Sequence, residues 1–157
     1  MSIEGWKEVE LTEVIEFNPK ENLRKGTPAK KVSMADLEPF TRKIQGFSRD
    51  KYTSGSKFRN GDTLMARITP CLENGKTAYV DILEEDEVAF GSTEFIVLRG
   101  REGKADPEFV YYLTISPHFR ELAIRSMTGS TGRQRAQVDA LERARFPLPP
   151  LKEQRRV

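Results

Sequence analysis

The chain has 157 residues, the length of one domain, and 37% hydrophobic against 32% charged residues, a composition typical of a globular protein. No apolar run approaches the length of a membrane span, and the first residues lack the basic-then-apolar layout of a signal peptide, so we expect a cytoplasmic protein without a membrane partner. The single cysteine, Cys71, excludes an internal disulfide and a cysteine-based zinc site.

The net charge of +2 conceals a segregation of charge along the sequence. Residues 20–59 carry eleven basic and four acidic side chains, whereas residues 79–94 carry six acidic and no basic ones. Residues 125–156 are basic again, with eight basic side chains against three acidic. Such a distribution can present a positive face to a polyanion, although a solvated, salt-bridged surface explains it equally well.

The first third of the chain predicts little regular structure. Residues 6–9 are typical of a short strand, and residues 11–17 of a turn or short helix. Residues 20–31 are polar and basic, which favours a loop. Ser33 to Asp36 has the spacing of a helix-capping box, but Pro39 leaves room for only a turn.

A long polar segment follows at residues 45–58, with Phe47, Tyr52 and Phe58 interspersed among Gly, Ser, Arg and Lys. Long polar loops inside compact domains are more often functional than inert. Strands are predicted next at residues 63–68, 76–81 and 93–98. Asn74-Gly75 predicts a tight turn between the first two, because glycine reaches positive φ without steric cost.

The last third predicts short helices and one edge strand. Asp106-Pro107 and Ser116-Pro117 each combine an N-cap residue with proline at the first helical position, which predicts helices over 107–115 and 117–126. A small-residue loop at 128–135, a helical turn near 138–141 and an edge strand at 144–148 should follow. Residues 149–157 begin like a helix that the sequence truncates after about two turns.

Residues suited to catalysis are scarce. His118 is the only histidine and has no partner constellation in the sequence. Asp81 and Glu102 could in principle serve a nuclease, but their spacing supplies no companion motif. No phosphate-binding glycine loop, dinucleotide fingerprint or adenine-methyltransferase tetrapeptide is present. We therefore expect a protein that is not an enzyme by itself, with no cofactor or metal in this chain.

Residues suited to DNA binding are abundant in three loops, at residues 42–59, 67–76 and 128–135. Phosphate contact needs positive charge, and base reading needs side chains with paired donors or acceptors, such as Arg for guanine and Gln or Asn for adenine. None of these loops is specific alone, because glycine-rich polar turns with arginine are common. For DNA contact we predict Arg67, Thr69, Asn74, Lys76, Ser130, Thr131, Arg133 and Gln134, and for contact with phosphates Arg42, Arg49, Lys51 and Lys57.

A resemblance to a known family rests mainly on the C-terminal third. The Thr-Gly-Ser-Thr-Gly-Arg-Gln loop at 128–134, a helical turn, and Phe-Pro-Leu-Pro-Pro-Leu-Lys-Glu-Gln at 146–154 resemble the specificity subunits of Type I restriction-modification systems. Trp6, Gly-Asp-Thr-Leu at 61–64, Asn-Gly-Lys at 74–76 and the 91–98 segment are weaker matches. The similarity covers nearly the whole chain.

The resemblance implies an α+β domain, with a small twisted, mostly antiparallel sheet and flanking short helices. Residues 1–148 would form a DNA target-recognition domain, and residues 149–157 the truncated beginning of a spacer helix. Such a domain reads one half of a bipartite double-stranded DNA site. Its implied partners are a methyltransferase subunit, a restriction subunit acting as an ATP-driven translocase, and a second specificity half. S-adenosylmethionine, ATP and magnesium would then be bound only by the partner subunits.

Three alternatives remain open on the sequence. The chain could be the recognition domain of a single-chain methyltransferase–nuclease fusion, in which the same motifs occur. It could be a protein-interaction module whose basic loops only keep it in solution. It could also be a small nuclease that uses Asp81 and Glu102, which a metal-dependent cleavage assay would test.

Overall fold

The computed structural model describes residues 5–130 and 133–155. Its α-helices are α1 (Pro107–Thr114), α2 (Pro117–Arg125), α3 (Val138–Arg143) and α4 (Leu151–Gln154), and 3-10 turns occupy Leu11–Glu13 and Met34–Asp36. Its strands are β1 (Lys7–Glu10), β2 (Ile15–Phe17), β3 (Pro28–Val32), β4 (Ser48–Lys51), β5 (Ser56–Phe58), β6 (Thr63–Ala66), β7 (Thr77–Tyr79), β8 (Ala89–Gly91), β9 (Phe95–Gly100) and β10 (Arg145–Leu148).

The strands form three sheets, and this confirms the predicted α+β class with mostly antiparallel pairing. The strand orders are β2-β9-β6-β7, β4-β3-β8-β5 and a two-stranded ribbon of β1 and β10. The β3–β8 pair is parallel, whereas the other pairs of named strands are antiparallel. The predicted edge strand near 144–148 is β10, which pairs with β1 and so joins the two ends of the chain.

The sheet β2-β9-β6-β7 is buried on both faces because successive side chains of a strand point to opposite sides. Leu64 and Val97 face a core shared with the sheet β4-β3-β8-β5. Met65 and Ile96 face a second core that contains Phe119 of α2 and other helix residues. Burial on both faces explains why β6 and β9 are continuous apolar segments in the sequence.

The helix starts confirm the capping predictions. Asp106 accepts hydrogen bonds from the amides of Glu108 and Phe109, and Ser116 accepts one from Phe119. Ser33 and Asp36 form the capping box of a single 3-10 turn. No helix in the described ranges is long and apolar enough to cross a membrane.

The predicted tight turn at Asn74-Gly75 is wrong. A ten-residue connection, Arg67 to Lys76, joins β6 and β7 and folds into successive turns. Amides in this connection bond back to Ile68, Pro70 and Leu72 over 2.9–3.0 Å, so the chain coils before β7 begins. The predicted loops at 20–31 and 45–58 also contain strands β3, β4 and β5, whose pairing partners lie far along the chain.

The C-terminal Glu153-Gln154 pair anchors α4 to the domain. The side chain of Gln154 is buried and accepts a hydrogen bond from the amide of Asp106 (2.8 Å). It donates to the carbonyls of Pro149 (2.9 Å) and Lys104 (3.3 Å). The neighbouring Glu153 accepts a hydrogen bond from the indole nitrogen of Trp6 (2.9 Å). The motif therefore fixes α4 against the loop that precedes α1 and against the N-terminal side of β1.

Gln154→Met should lower the free energy of unfolding by about 2 kcal/mol, because it leaves the Asp106 amide and two carbonyls without their partner. Urea denaturation measures this effect. Lys152→Met is the matched control in the same helical turn, since Lys152 is exposed. Equal stability of the two variants would contradict the anchoring role of Gln154.

Candidate nucleic-acid interface

Two loops that are far apart in sequence are joined in the fold. The 67–76 loop connects β6 to β7, and the 128–136 loop, of which residues 131 and 132 are not described, lies between α2 and α3. The amide of Thr69 donates to the carbonyl of Gln134 (2.9 Å), and the amide of Ala136 donates to the carbonyl of Arg67 (2.8 Å). The structure thus brings together predicted DNA-contacting residues from both loops.

A charged contact holds the 128–136 loop against the central sheet. The guanidinium of Arg135 donates two hydrogen bonds, of 2.8 and 2.9 Å, to the two carboxylate oxygens of Glu94. These bonds lower the pKa of Glu94 from its ordinary value. The stabilisation from this pair is therefore present above the ordinary carboxyl range and is lost as the pH falls through the lowered pKa. Sequence reasoning missed this contact because its partners are 41 residues apart.

The joined loops expose donors and acceptors suited to base edges. Asn74, Ser130, Arg133 and Gln134 are all exposed. Asparagine and glutamine can bond to adenine with two hydrogen bonds, and arginine can do the same with guanine. Thr131, predicted with them, lies outside the described residues.

Other predicted residues contact the protein itself. The guanidinium of Arg67 donates to the carbonyl of Ala136 (3.0 Å), and the ammonium of Lys76 donates to the carbonyl of Met34 (3.1 Å). The hydroxyl of Thr69 bonds to the carboxylate of Glu73. In the structure these three side chains support the 67–76 loop.

Arg42, predicted to contact phosphate, lies among side chains of α1 and β7. Its guanidinium pairs with Glu108 (2.9 Å), donates to the hydroxyl of Tyr112 (3.1 Å) and lies 4.6 Å from the ring centre of Tyr79. The positive charge of Arg42 is therefore largely balanced by contacts within the protein.

The remaining predicted phosphate contacts lie on one sheet but on its opposite edges. Arg49 and Lys51 are exposed on β4, and Lys57 lies on β5 with its ammonium 5.5 Å from the ring centre of Tyr52. Three strand spacings separate the two edges, about 14 Å in total. The three cations therefore do not form one cluster.

A depression of about 380 Å³ lies over this sheet, and residues of β3, β4 and β8 line it. Lys51 and Thr93 both line it, and Thr93 precedes the Glu94 that holds the 128–136 loop. Met34 also lines it, and the carbonyl of Met34 is the one that Lys76 contacts. Two of its lining residues therefore lie next to the contacts that position the joined loops.

A buried ion cluster supports the start of β6 and was not predicted. Asp62 is 1% exposed and accepts two hydrogen bonds from Arg99, of 2.7 and 2.8 Å. Arg99 also pairs with Glu21 (2.7 Å), which in turn pairs with Arg59 (2.8 Å). Burial raises the pKa of Asp62 against the opposing effect of Arg99, and the Asp62 carboxylate raises the pKa of Arg99. The Gly-Asp segment at 61–62 was noted in the sequence, but its partners were not.

An exposed aromatic beside the joined loops was also missed. Phe40 is 58% exposed, and its amide donates to the carbonyl of Gly75 (2.9 Å). The guanidinium of Arg120 lies 4.7 Å from its ring centre. A large apolar residue directly after Pro39, in a segment predicted to turn, was the available sequence signal.

The residues considered for catalysis do not form a metal site. Asp81 and Glu102 are exposed, and no group of three or more His, Cys, Asp or Glu side chains within residues 5–130 and 133–155 could hold a metal ion. His118 lies at the start of α2 with its ring 4.5 Å from that of Phe146.

In this fold a packed α+β scaffold presents polar side chains on joined loops. The chain belongs to the family of Type I restriction modification DNA specificity domains, whose sequence model matches residues 3–157. This confirms the resemblance inferred from the C-terminal motifs.

Relatives and solved structures agree with the family. The chain is 31% identical to the Type I restriction enzyme EcoAI specificity subunit of Escherichia coli and 27% identical to the EcoEI specificity subunit, in each case over 98% of its own length. It spans only 27% of the length of either relative. The HsdS subunit from Thermoanaerobacter tengcongensis has a TM-score of 0.80 at 26% identity, over 99% of this chain and 40% of that one.

A second solved structure, from work on complex assembly and conformational transition of the type I R-M system, contains a similar chain. That chain has a TM-score of 0.81 at 25% identity, over 99% of this chain and 41% of its own length. The fold of this chain therefore recurs in both of these solved structures.

Proposed function

We propose that this chain recognises one half of a bipartite double-stranded DNA site for a Type I restriction-modification complex and is itself non-catalytic. The joining of the 67–76 and 128–136 loops carries the proposal. Backbone hydrogen bonds fix the loops to each other, and Asn74, Arg133 and Gln134 are exposed on them. Side chains with paired donors and acceptors on a fixed backbone are what reading of base edges requires.

The proposed partners follow from the family. A methyltransferase subunit and, through the complex, a restriction subunit would act with this chain in the cytoplasm, and a second specificity half would read the other part of the site. S-adenosylmethionine, ATP and magnesium would be bound by those partners. These assignments concern the whole complex, and the chain spans about a quarter of the length of its curated relatives.

The test is selection from a randomised duplex pool at moderate salt, followed by sequencing of the retained DNA. We expect enrichment of a short, asymmetric motif of a few base pairs, as for a half-site. Salt-sensitive binding without enrichment would contradict base reading by the isolated chain. An absence of binding at low salt would contradict the proposal and favour the protein-interaction module.

Lys51→Ala should weaken binding to all duplexes by a similar factor, because an exposed lysine on β4 would contact phosphate. The logarithm of the affinity should then fall less steeply with the logarithm of the salt concentration, by about one unit of slope. Binding titrations at several salt concentrations measure this. Lys152→Ala, an exposed lysine on α4, is the control. An unchanged slope for Lys51→Ala would remove Lys51 from the interface.

A further inference from the structure

Phe40 occupies a backbone conformation that its residue type disfavours. The amide of Thr41 donates to the carbonyl of Glu38 (3.2 Å), which closes a turn with Pro39 in the second position and Phe40 in the third. The φ angle of Phe40 is +51°, in the left-handed region. Turns with proline second and a positive φ third normally place glycine or asparagine there. A bulky aromatic residue is unfavourable in this backbone conformation, and it gains no burial in return because its side chain is exposed.

Three contacts hold the exposed ring in place. The Phe40 amide bonds to the Gly75 carbonyl, and a Cβ atom at Gly75 would lie only 2.4 Å from the ring, so residue 75 must be glycine for the ring to lie there. The guanidinium of Arg120 covers the ring at 4.7 Å. Arg120 is itself fixed by a 2.9 Å hydrogen bond to the carbonyl of Glu73. These contacts position the ring, although more than half of the residue is accessible.

The ring belongs to the same surface as the joined loops. Arg120 contacts Glu73, the carboxylate of Glu73 bonds to Thr69, and the amide of Thr69 bonds to Gln134. An unbroken series of contacts thus links Phe40 to a residue predicted to read bases. An apolar ring gains nothing beside a phosphate, whereas the faces of bases and the thymine methyl group offer it apolar contact.

We infer that Phe40 is a wedge that inserts its exposed ring against one base step of the bound duplex and partly unstacks it. This inference rests on the proposed DNA recognition and adds to it the residue that deforms the site. Apolar side chains inserted between base steps separate the stacked bases and bend the duplex. Steps that unstack easily would be preferred at that position, which adds sequence preference without hydrogen bonds.

The test uses the duplex enriched in the pool selection, with 2-aminopurine replacing one base at a time. The fluorescence of this analogue rises when it is unstacked. With the wild-type chain we expect a rise at one step only. Phe40→Gly should abolish that rise and weaken binding about 10-fold, with an unchanged salt slope, because an apolar wedge contacts bases and no phosphate. Phe40→Tyr should keep both the rise and the affinity.

Two controls separate the possible failures. Glycine accepts the positive φ, which offsets the lost contact of the ring with Arg120, so Phe40→Gly should melt close to the wild-type temperature. Ile124→Ala removes another exposed apolar side chain, 39% accessible on α2, and should change neither signal. Wild-type enrichment together with unchanged binding and fluorescence in Phe40→Gly would overturn the wedge alone. An absence of DNA binding by the wild type would overturn the wedge and the proposed function together.

Discussion

Asp62→Asn should lower the free energy of unfolding by about 3 kcal/mol, a large fraction of the stability of a domain. The carboxylate is buried and accepts three hydrogen bonds, two from the Arg99 guanidinium and one of 2.8 Å from the Arg59 amide. Its removal leaves Arg99 with only Glu21 to balance a half-buried charge. The cluster lies where β6 begins, so its loss should loosen the central sheet. Urea denaturation at neutral pH measures the effect.

Asp139→Asn is the matched control. Asp139 also pairs with an arginine, Arg143, but both side chains are more than 60% exposed, so its loss should change the stability by no more than about 0.5 kcal/mol. A difference of less than about 1 kcal/mol between the two variants would show that the buried cluster does not hold the sheet.

The combined change Arg133→Ala and Gln134→Ala should weaken binding to the selected motif by roughly 100-fold, since a side chain that makes two hydrogen bonds to a base contributes about 1–3 kcal/mol of discrimination. The fold should be unaffected. The loop is held through backbone atoms of these residues, because the Gln134 carbonyl accepts from Thr69 and the Arg133 amide donates to Ser130. Binding to unrelated duplexes should fall only by the share due to one lost positive charge.

Arg143→Ala is the control for charge, because Arg143 is an exposed arginine on α3. Fluorescence anisotropy on selected and scrambled duplexes gives both affinities. An equal loss of affinity for the two duplexes would show that Arg133 and Gln134 contact phosphates and do not read bases. Affinities within twofold of the wild type on both would exclude these side chains from the interface.

The sequence predicted local features best where a short-range signal was sufficient. The caps at Asp106 and Ser116 and the capping box at Ser33 depend on residues only three positions apart, and all three are confirmed. Strands β3 and β4 were missed because each is stabilised by a neighbour in the sheet, and the lysines of β3 and the polar residues of β4 favoured a loop. The edge strand β4 needs no apolar alternation, and the interior strand β3 has a lysine, Lys30, at a buried position, where it pairs with Glu87.

The candidate site was predicted in outline, and its internal arrangement was not. Loop chemistry identified Asn74, Arg133 and Gln134, which the structure exposes together with Ser130. The same chemistry also selected Arg67 and Lys76, whose side chains bond to backbone carbonyls of distant residues. Residue type alone cannot separate these cases, because an arginine or a lysine can serve either a phosphate or a carbonyl.

The family, the α+β class and the positions of the helices could be inferred from the amino-acid sequence, since motifs, caps and apolar segments are properties of neighbouring residues. Which loops meet, which cations remain exposed and which aromatic is held between distant residues became visible in the fold. Those features depend on contacts across long separations, such as Thr69 with Gln134 and Phe40 with Gly75 and Arg120. These contacts form only after the sheets have packed and brought the loops together. No local sequence pattern therefore encodes them.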